Sequence, residues 1–134
     1  MPEKEFVTWE EVESFVNLVA DYVKNSSSYK KYPVTGVYGL PRGGLVLAVM
    51  LSHKLNIPIL TAPACGCVIV DDICDSGESL LHYVKDTSGI DPKDKAYTIA
   101  TMYYKENDLG IEPDIWASWK GNKWIVFPWE MEEA

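Results

Sequence analysis

Two adjacent acids at the end of an apolar run, followed by an acid, a hydroxyl and a glycine, are the most chemically suggestive feature of this chain: residues 68–80, VIVDDICDSGESL. The β-branched run reads as a buried strand that delivers Asp71 and Asp72 to its carboxyl end. Adjacent carboxylates there can accept from the hydroxyls of a ribose diol, directly or through the waters of a magnesium ion. Asp75, Ser76, Gly77, Glu78 and Ser79 follow as a polar turn entering a helix. Its N–H groups and hydroxyls suit an anion. Gly77 permits backbone angles or a close approach that a side chain would hinder. Helix capping by Asp75 or Ser76, with Asp71 and Asp72 merely solvated, accounts for parts of this pattern but not for the ordered whole.

A second candidate loop is Gly39-Leu40-Pro41-Arg42-Gly43-Gly44. Its glycines let the backbone wrap an anion and start a helix closely, and Arg42 can neutralise or orient a diphosphate. An ordinary strand-to-helix turn with Arg42 in solvent is the plainer account of that loop alone. Near the C-terminal end, Trp116, Trp119, Trp124 and Trp129 crowd together. Indole faces could cover a purine base, but tryptophans also complete cores and dimer interfaces.

These residues need a scaffold. Thr8 and Glu11 form a capping box, with Val7 and Val12 as its hydrophobic staple, so a helix should start at Trp9. Val12, Phe15, Val16, Val19, Ala20 and Val23 make its buried stripe. Residues 34–39 read as a strand, and the glycine loop opens a helix to about residue 55. Residues 57–61 and 67–70 are two further strand candidates, 79–85 a helix, 96–104 a fourth strand and 123–127 a short fifth. Residues 26–33 read as a polar connector, with turn signals at Ser88-Gly89 and Asp91-Pro92. The alternation implies one α/β domain over residues 1–134, a parallel-core sheet with helices on both faces. Ligands of such sheets bind beyond the carboxyl ends of the strands, where both loops and the acid pair fall. One connection is irregular. Residues 62–66 are too few for a parallel crossover of about a dozen residues, so the strands they join should lie on opposite sides of the first strand.

With 134 residues, 47% of them hydrophobic, the chain suits a single core. Its net charge of −8 argues against nucleic acid as a partner. Nothing approaches 18 consecutive apolar residues, which argues against a membrane span. Three cysteines, an odd number with no secretory preamble, point to the reducing cytoplasm. Cys65 and Cys67 lack a second ligand pair for a metal site, and His53 and His82 read as structural.

The acid pair and turn closely resemble the phosphoribosyl pyrophosphate motif of the type I phosphoribosyltransferases. Pro41-Arg42-Gly43-Gly44 resembles the pyrophosphate loop of the bacterial xanthine-guanine members. Trp124-Ile125 with Pro128-Trp129-Glu130 resembles their terminal purine-site segment. Val7-Thr8-Trp9 also falls in family order. The resemblance implies that Asp71 and Asp72 hold the ribose hydroxyls and a magnesium ion, and that Ser76, Gly77, Glu78 and Ser79 hold the 5′-phosphate. It implies that Asp75 meets the imidazole nitrogen of the base, and that Pro41, Arg42, Gly43 and Gly44 hold pyrophosphate. In that family the loop often carries a cis peptide, which here falls before Arg42 or before Pro41. Lys105 matches a donor to the 6-oxo group, Trp124 a stacking face, Ile125 a set of backbone contacts and Glu130 a reader of the 2-position edge. Glu78 stands where the family often has glycine, so its side chain must turn from the phosphate.

The implied reaction is magnesium-dependent transfer of a 5-phosphoribosyl group from phosphoribosyl pyrophosphate to guanine, xanthine or hypoxanthine, yielding pyrophosphate and a nucleoside monophosphate. A cytoplasmic homodimer is the implied setting. The family's long hood between second strand and acidic strand is missing, since residues 62–66 are too short for a lid. A weak enzyme closed by a neighbouring subunit or by residues 26–33, a non-catalytic or regulatory nucleotide binder, and a related protein using the same motif for another phosphorylated nucleotide all stay open.

Overall fold

The computed structural model describes residues 3–25, 34–64, 66–85 and 97–130, the stretch 82–85 at its backbone only. In chain order it contains β1 (Lys4–Phe6), α1 (Trp9–Asn25), β2 (Gly36–Gly39), α2 (Gly43–Leu55) and β3 (Cys67–Cys74). These are followed by α3 (Glu78–Lys85), β4 (Thr98–Tyr104), β5 (Ile115–Trp119) and β6 (Trp124–Val126).

Helix α1 starts where its capping box requires. Thr8 Oγ1 accepts from the Glu11 N–H at 3.1 Å, and Glu11 Oε1 accepts from the Thr8 N–H at 3.3 Å. Val12, Phe15, Val16, Val19, Ala20 and Val23 are buried, as the apolar stripe requires. Helix α2 ends at Asn56, whose φ of 53° is the left-handed conformation that asparagine tolerates.

Strands β2, β3, β4 and β5 form one parallel sheet in that order. Its two faces are both covered. Val37, Val68, Val70 and Ala100 pack with α1 and α2 in one apolar cluster, whereas Tyr38, Ile69, Ile99 and Leu80 of α3 belong to a second. Alternate strand residues thus enter opposite cores, which explains why these strands lack a polar side. Because all four strands run the same way, their carboxyl ends open on one edge.

Several elements differ from the sequence expectation. Residues 57–61 do not form a strand. Ile59 makes only an isolated parallel bridge to Val37, with the Val37 N–H donating to the Pro58 C=O at 2.9 Å and the Leu60 N–H to the Val37 C=O at 2.8 Å. Pro58 cannot donate to a ladder, which limits this edge to its present extent. The expected placement still holds, since Val37 has Ile59 on one side and Val68 on the other. Strand β3 runs through the acid pair to Cys74 instead of stopping before it. The strand at the C-terminal end lies outside the main sheet, because β6 pairs in parallel with β1 in a separate two-stranded sheet. Neither β1 nor β5 was expected. The connector 26–33 and the turns at 88–92 fall outside the described residues.

Candidate active site

At the carboxyl edge of the sheet, an open cavity of about 1050 Å³ is lined by the loop after β2, the end of β3, the turn before α3, and the segment around β6. Asp71 and Asp72 both face it, although consecutive strand residues ordinarily point apart. Each carboxylate is turned along the strand by a bond to the next residue. Asp71 Oδ1 accepts from the Asp72 N–H and Asp72 Oδ1 from the Ile73 N–H, both at 2.8 Å. Burial, and then the charge of Asp72, pushes the Asp71 carboxyl up to about 9. A cation bound beside the pair would offset the charge of Asp72 and favour the ionised form of Asp71.

The turn that follows is positioned from behind. Gly77 has φ +79°, and a Cβ there would lie 3.0 Å from Asn107 Oδ1 and 3.1 Å from Ile111 Cβ. Asn107 in turn holds its own loop, with Nδ2 donating to the Ile111 C=O at 2.8 Å and Oδ1 accepting from the Ile111 N–H at 3.0 Å. Ser76 Oγ accepts from the Glu78 N–H at 3.3 Å, and the first-turn N–H groups of α3 lack helical carbonyl partners by position. Asp75, Ser76, Gly77 and Ser79 all line the cavity, whereas Glu78, the residue expected to turn away, does not.

In the glycine loop the Pro41–Arg42 peptide is cis. Pro41, Arg42 and Gly43 line the cavity. Gly44 is not among its lining residues. A Cβ on Gly44 would come within 2.5 Å of the Val70 carbonyl oxygen and 3.2 Å of Asp71 Cα, so this glycine lets α2 pack on β3 beneath the site.

Opposite stands a wall made by Trp124, Ile125, Phe127, Trp129 and Glu130. The Trp124 N–H donates to the Glu3 C=O and the Val126 C=O accepts from the Val7 N–H, both at 2.8 Å. Strand alternation therefore turns the N–H and C=O of buried Ile125 away from β1, available to a ligand edge. Phe127 and Trp129 stack with centroids 4.8 Å apart. Glu130 Oε1 accepts from the Phe127 N–H at 2.8 Å, which fixes that carboxylate at the cavity rim.

Lys105 is not brought to this cavity. Its ammonium donates to Asn122 Oδ1 at 3.2 Å, and its N–H extends the ladder to the Cys74 C=O at 2.9 Å. The lining lysine is Lys120, one residue past β5, whose Nζ lies 3.3 Å from Asp75 Oδ2. Sequence reasoning missed Lys120 because it missed β5. Once residues 115–119, IWASW, are read as a strand, the lysine after them falls at the same sheet edge as Asp75.

For magnesium, the donor set is chemically suitable: two hard carboxylate groups at one edge, one of them buried. Among the described residues no three His, Cys, Asp or Glu side chains converge as a cage. Magnesium in phosphate-handling sites is commonly held by one or two carboxylates with substrate oxygens and water, and needs no such cage.

No family model matches the chain. A xanthine-guanine phosphoribosyltransferase from Idiomarina loihiensis is 26% identical over 151 residues, covering 94% of this chain and 86% of its own length. That alignment is longer than the 134 residues of this chain, so the relative carries segments that this chain lacks. Among solved structures, a purine phosphoribosyltransferase from Pyrococcus horikoshii superposes with a TM-score of 0.77 at 28% identity, over 98% of this chain and 97% of the other. A xanthine-guanine-hypoxanthine phosphoribosyltransferase from Helicobacter pylori superposes with a TM-score of 0.76 at 19% identity, over 98% and 95%. The fold is that of the type I phosphoribosyltransferases, and the chain is related at low identity to several phosphoribosyltransferases of 6-oxopurines.

Proposed function

We propose that this chain is a purine phosphoribosyltransferase, moving a 5-phosphoribosyl group from phosphoribosyl pyrophosphate to the imidazole-side nitrogen of a 6-oxopurine (guanine, xanthine or hypoxanthine) and releasing pyrophosphate. The observation that carries this reading is that one cavity is shared by the acid pair, the Ser76-Gly77 turn, the Arg42 loop and the Trp124 wall. A sugar diol, its 5′-phosphate, a diphosphate and a planar base would each find a complementary surface there.

On this reading, Ser76, Gly77, Ser79 and the N–H groups up to Glu78 hold the 5′-phosphate, and Asp71 and Asp72 hold the ribose hydroxyls. As the bond to pyrophosphate lengthens, positive charge grows on the ribose ring and those carboxylates stabilise it. Arg42 and the N–H groups of its loop hold the departing diphosphate. Magnesium, held by Asp71 and Asp72 directly or through water, would neutralise diphosphate charge. Trp124 covers the base, Ile125 meets its edge through the backbone, Glu130 accepts from its 2-position side, and Asp75 orients the imidazole nitrogen and takes its proton. We place this chemistry in a cytoplasmic homodimer. Support comes from Cys67 and Cys74, which are free thiols, from exposed Trp116 and Trp119, which a partner could cover, and from the described helices, none of which is long and apolar enough to cross a membrane.

The deciding experiment is a coupled pyrophosphate-release assay with magnesium across guanine, xanthine, hypoxanthine, adenine and orotate. The oxopurines should turn over, and Asp75→Asn should lower kcat by about 10²-fold or more. Full turnover by that variant would remove Asp75 from the chemistry.

A non-catalytic nucleotide binder is favoured by one observation. Residues 62–66, between the main sheet's edge segment and β3, are too few for a lid, and a reacting sugar without a lid is exposed to water. Phosphoribosyl pyrophosphate or nucleoside monophosphate would then bind without pyrophosphate release from any base.

A further inference from the structure

We propose that Tyr103 and Glu5 are positioning residues for the purine, a hydrogen-bonded pin that fixes the base-facing wall to the sheet carrying the acid pair. The inference rests on the phosphoribosyltransferase reading and names what holds the two halves of that site in register.

The cavity is built on two separate frames. Asp71 and Asp72 stand on β3 of the main sheet, whereas Trp124 and Ile125 belong to β6, in the two-stranded sheet with β1. Among the described residues no strand pairing joins the two sheets. A base and a ribose joined by one glycosidic bond need both frames at a fixed separation, so side chains must supply what the ladders do not.

Tyr103 supplies it from the core side. This buried β4 residue is the register partner of Ile73, two positions past Asp71. Its hydroxyl donates to Glu5 Oε2 on β1, and its ring meets Phe127 of the wall edge-on, with centroids 5.9 Å apart. Glu5 carries the constraint to the base. It is the register partner of Ile125, so both project from one face of the small sheet, and Ile125 packs in the same apolar cluster as Tyr103. Glu5 Oε1 accepts at 3.0 Å from Nζ of Lys123, the residue before Trp124. One carboxylate oxygen thus faces the core and the other the wall. A hydrogen bond to a charged acceptor is stronger than a neutral one, and a buried phenol left without its partner is costly. Glu5, Tyr103 and Lys123 all lie outside the cavity lining. Breaking the pin therefore removes no contact with a ligand and acts only through where Trp124 and Ile125 stand.

The test titrates ribose 5-phosphate and guanosine monophosphate into wild type, Tyr103→Phe, Glu5→Ala, Glu5→Gln and the Tyr103→Phe/Glu5→Ala double variant. The ratio of the two affinities isolates what the base contributes. Tyr103→Phe and Glu5→Ala should each lower that ratio about tenfold, with ribose 5-phosphate affinity changed by less than about twofold. The double variant should lose no more than either single one, as two ends of one bond require. Glu5→Gln keeps an acceptor for the phenol and should recover part of the ratio. Val19→Ala, which empties space in the core under α1, is the control: it should lower Tm and leave the ratio alone. In turnover, Tyr103→Phe should raise KM for guanine about tenfold and leave KM for phosphoribosyl pyrophosphate unchanged. A ratio unmoved in both single variants overturns the proposal, and so does a parallel fall for both ligands. Should wild type bind neither ligand and release no pyrophosphate, the enzymatic reading fails by itself. Amide hydrogen exchange then decides the pin: Tyr103→Phe should speed exchange at residues 124–126 while β3 stays protected, and unchanged exchange at β6 rejects it.

Discussion

Gly43 faces Asp72 so closely that a methyl group on its Cα would fall 2.0 Å from Asp72 Oδ2. The start of α2 and the acid pair on β3 are therefore one mechanical unit, in which the glycine loop limits where the second carboxylate can point. The neighbouring glycine has a different neighbour. At Gly44 the added carbon would meet the Val70 carbonyl oxygen at 2.5 Å, which is backbone of a central strand.

The two glycines should consequently fail in different ways. Gly43→Ala displaces a flexible carboxylate, so the fold should survive within about 1 kcal/mol while affinity for phosphoribosyl pyrophosphate falls roughly tenfold or more. Gly44→Ala must push α2 off the sheet, at a cost of about 1–3 kcal/mol, lowering Tm by several degrees. Thermal melting alongside isothermal titration separates the two outcomes. Equal melting temperatures for both variants would contradict the assignment.

Trp119 and Trp124 are nearly equally exposed, at 53% and 55%, but only Trp124 lines the cavity. Trp119 rests over Gly121 and donates from its indole nitrogen to Glu106 at 2.9 Å. Base stacking on an aromatic ring contributes about 1–3 kcal/mol by alanine substitution. Trp124→Ala should accordingly raise KM for the purine by about tenfold or more, whereas Trp119→Ala should change it by less than about threefold. Initial rates at varied purine and fixed phosphoribosyl pyrophosphate measure both.

Glu5 ties the two sheets together. It accepts from the Tyr103 hydroxyl of β4 and from Lys123 Nζ at 3.0 Å, just ahead of Trp124. The Tyr103 hydrogen bond, followed by that of Lys123, holds the Glu5 carboxyl below its ordinary range. A carboxylate with a depressed folded value contributes stability that is present above its unfolded value, about 4.3, and is lost as pH falls through the folded value. Glu5→Gln should lower Tm at pH 7 by a few degrees, with the gap narrowing toward pH 3. The group is only partly buried, so the effect stays modest. Melting curves of both proteins from pH 3 to 8 check this, and a constant gap would contradict it.

The legible parts of this structure are those whose causes are local. The Thr8 and Glu11 cap, the Val12 to Val23 stripe and the strand leading to Asp71 each follow from residues within a few positions of one another. The glycine loop and the turn at residues 75–79 were legible because each is a contiguous run of chain-bending and polar residue types. Strand β5 was hidden by its place at the sheet edge, where Trp116 and Trp119 remain exposed and no apolar alternation is needed. Its start depends on a distant contact, with the Asp114 N–H donating to the Ile99 C=O at 2.8 Å and Asp114 Oδ2 accepting from the Ile99 N–H at 2.7 Å. Strand β1, Lys-Glu-Phe, has no apolar pattern and exists only through its pairing with β6. Lys120 was invisible for the same reason as β5. Its relation to Asp75 spans two strand pairings, and nothing in the spacing of residues 75 and 120 encodes it.

The grip of Asp71 and Asp72 on the ribose of a phosphoribosyl group is the claim on which the functional account stands. The direct measurement is isothermal titration of phosphoribosyl pyrophosphate in the presence of magnesium, on wild type and on the Asp71→Asn/Asp72→Asn double variant. The account expects saturable binding to wild type and an affinity lower by about 10²-fold or more in the double variant, with the fold retained by circular dichroism. Equal affinity in the two proteins, or no binding to wild type, would contradict it.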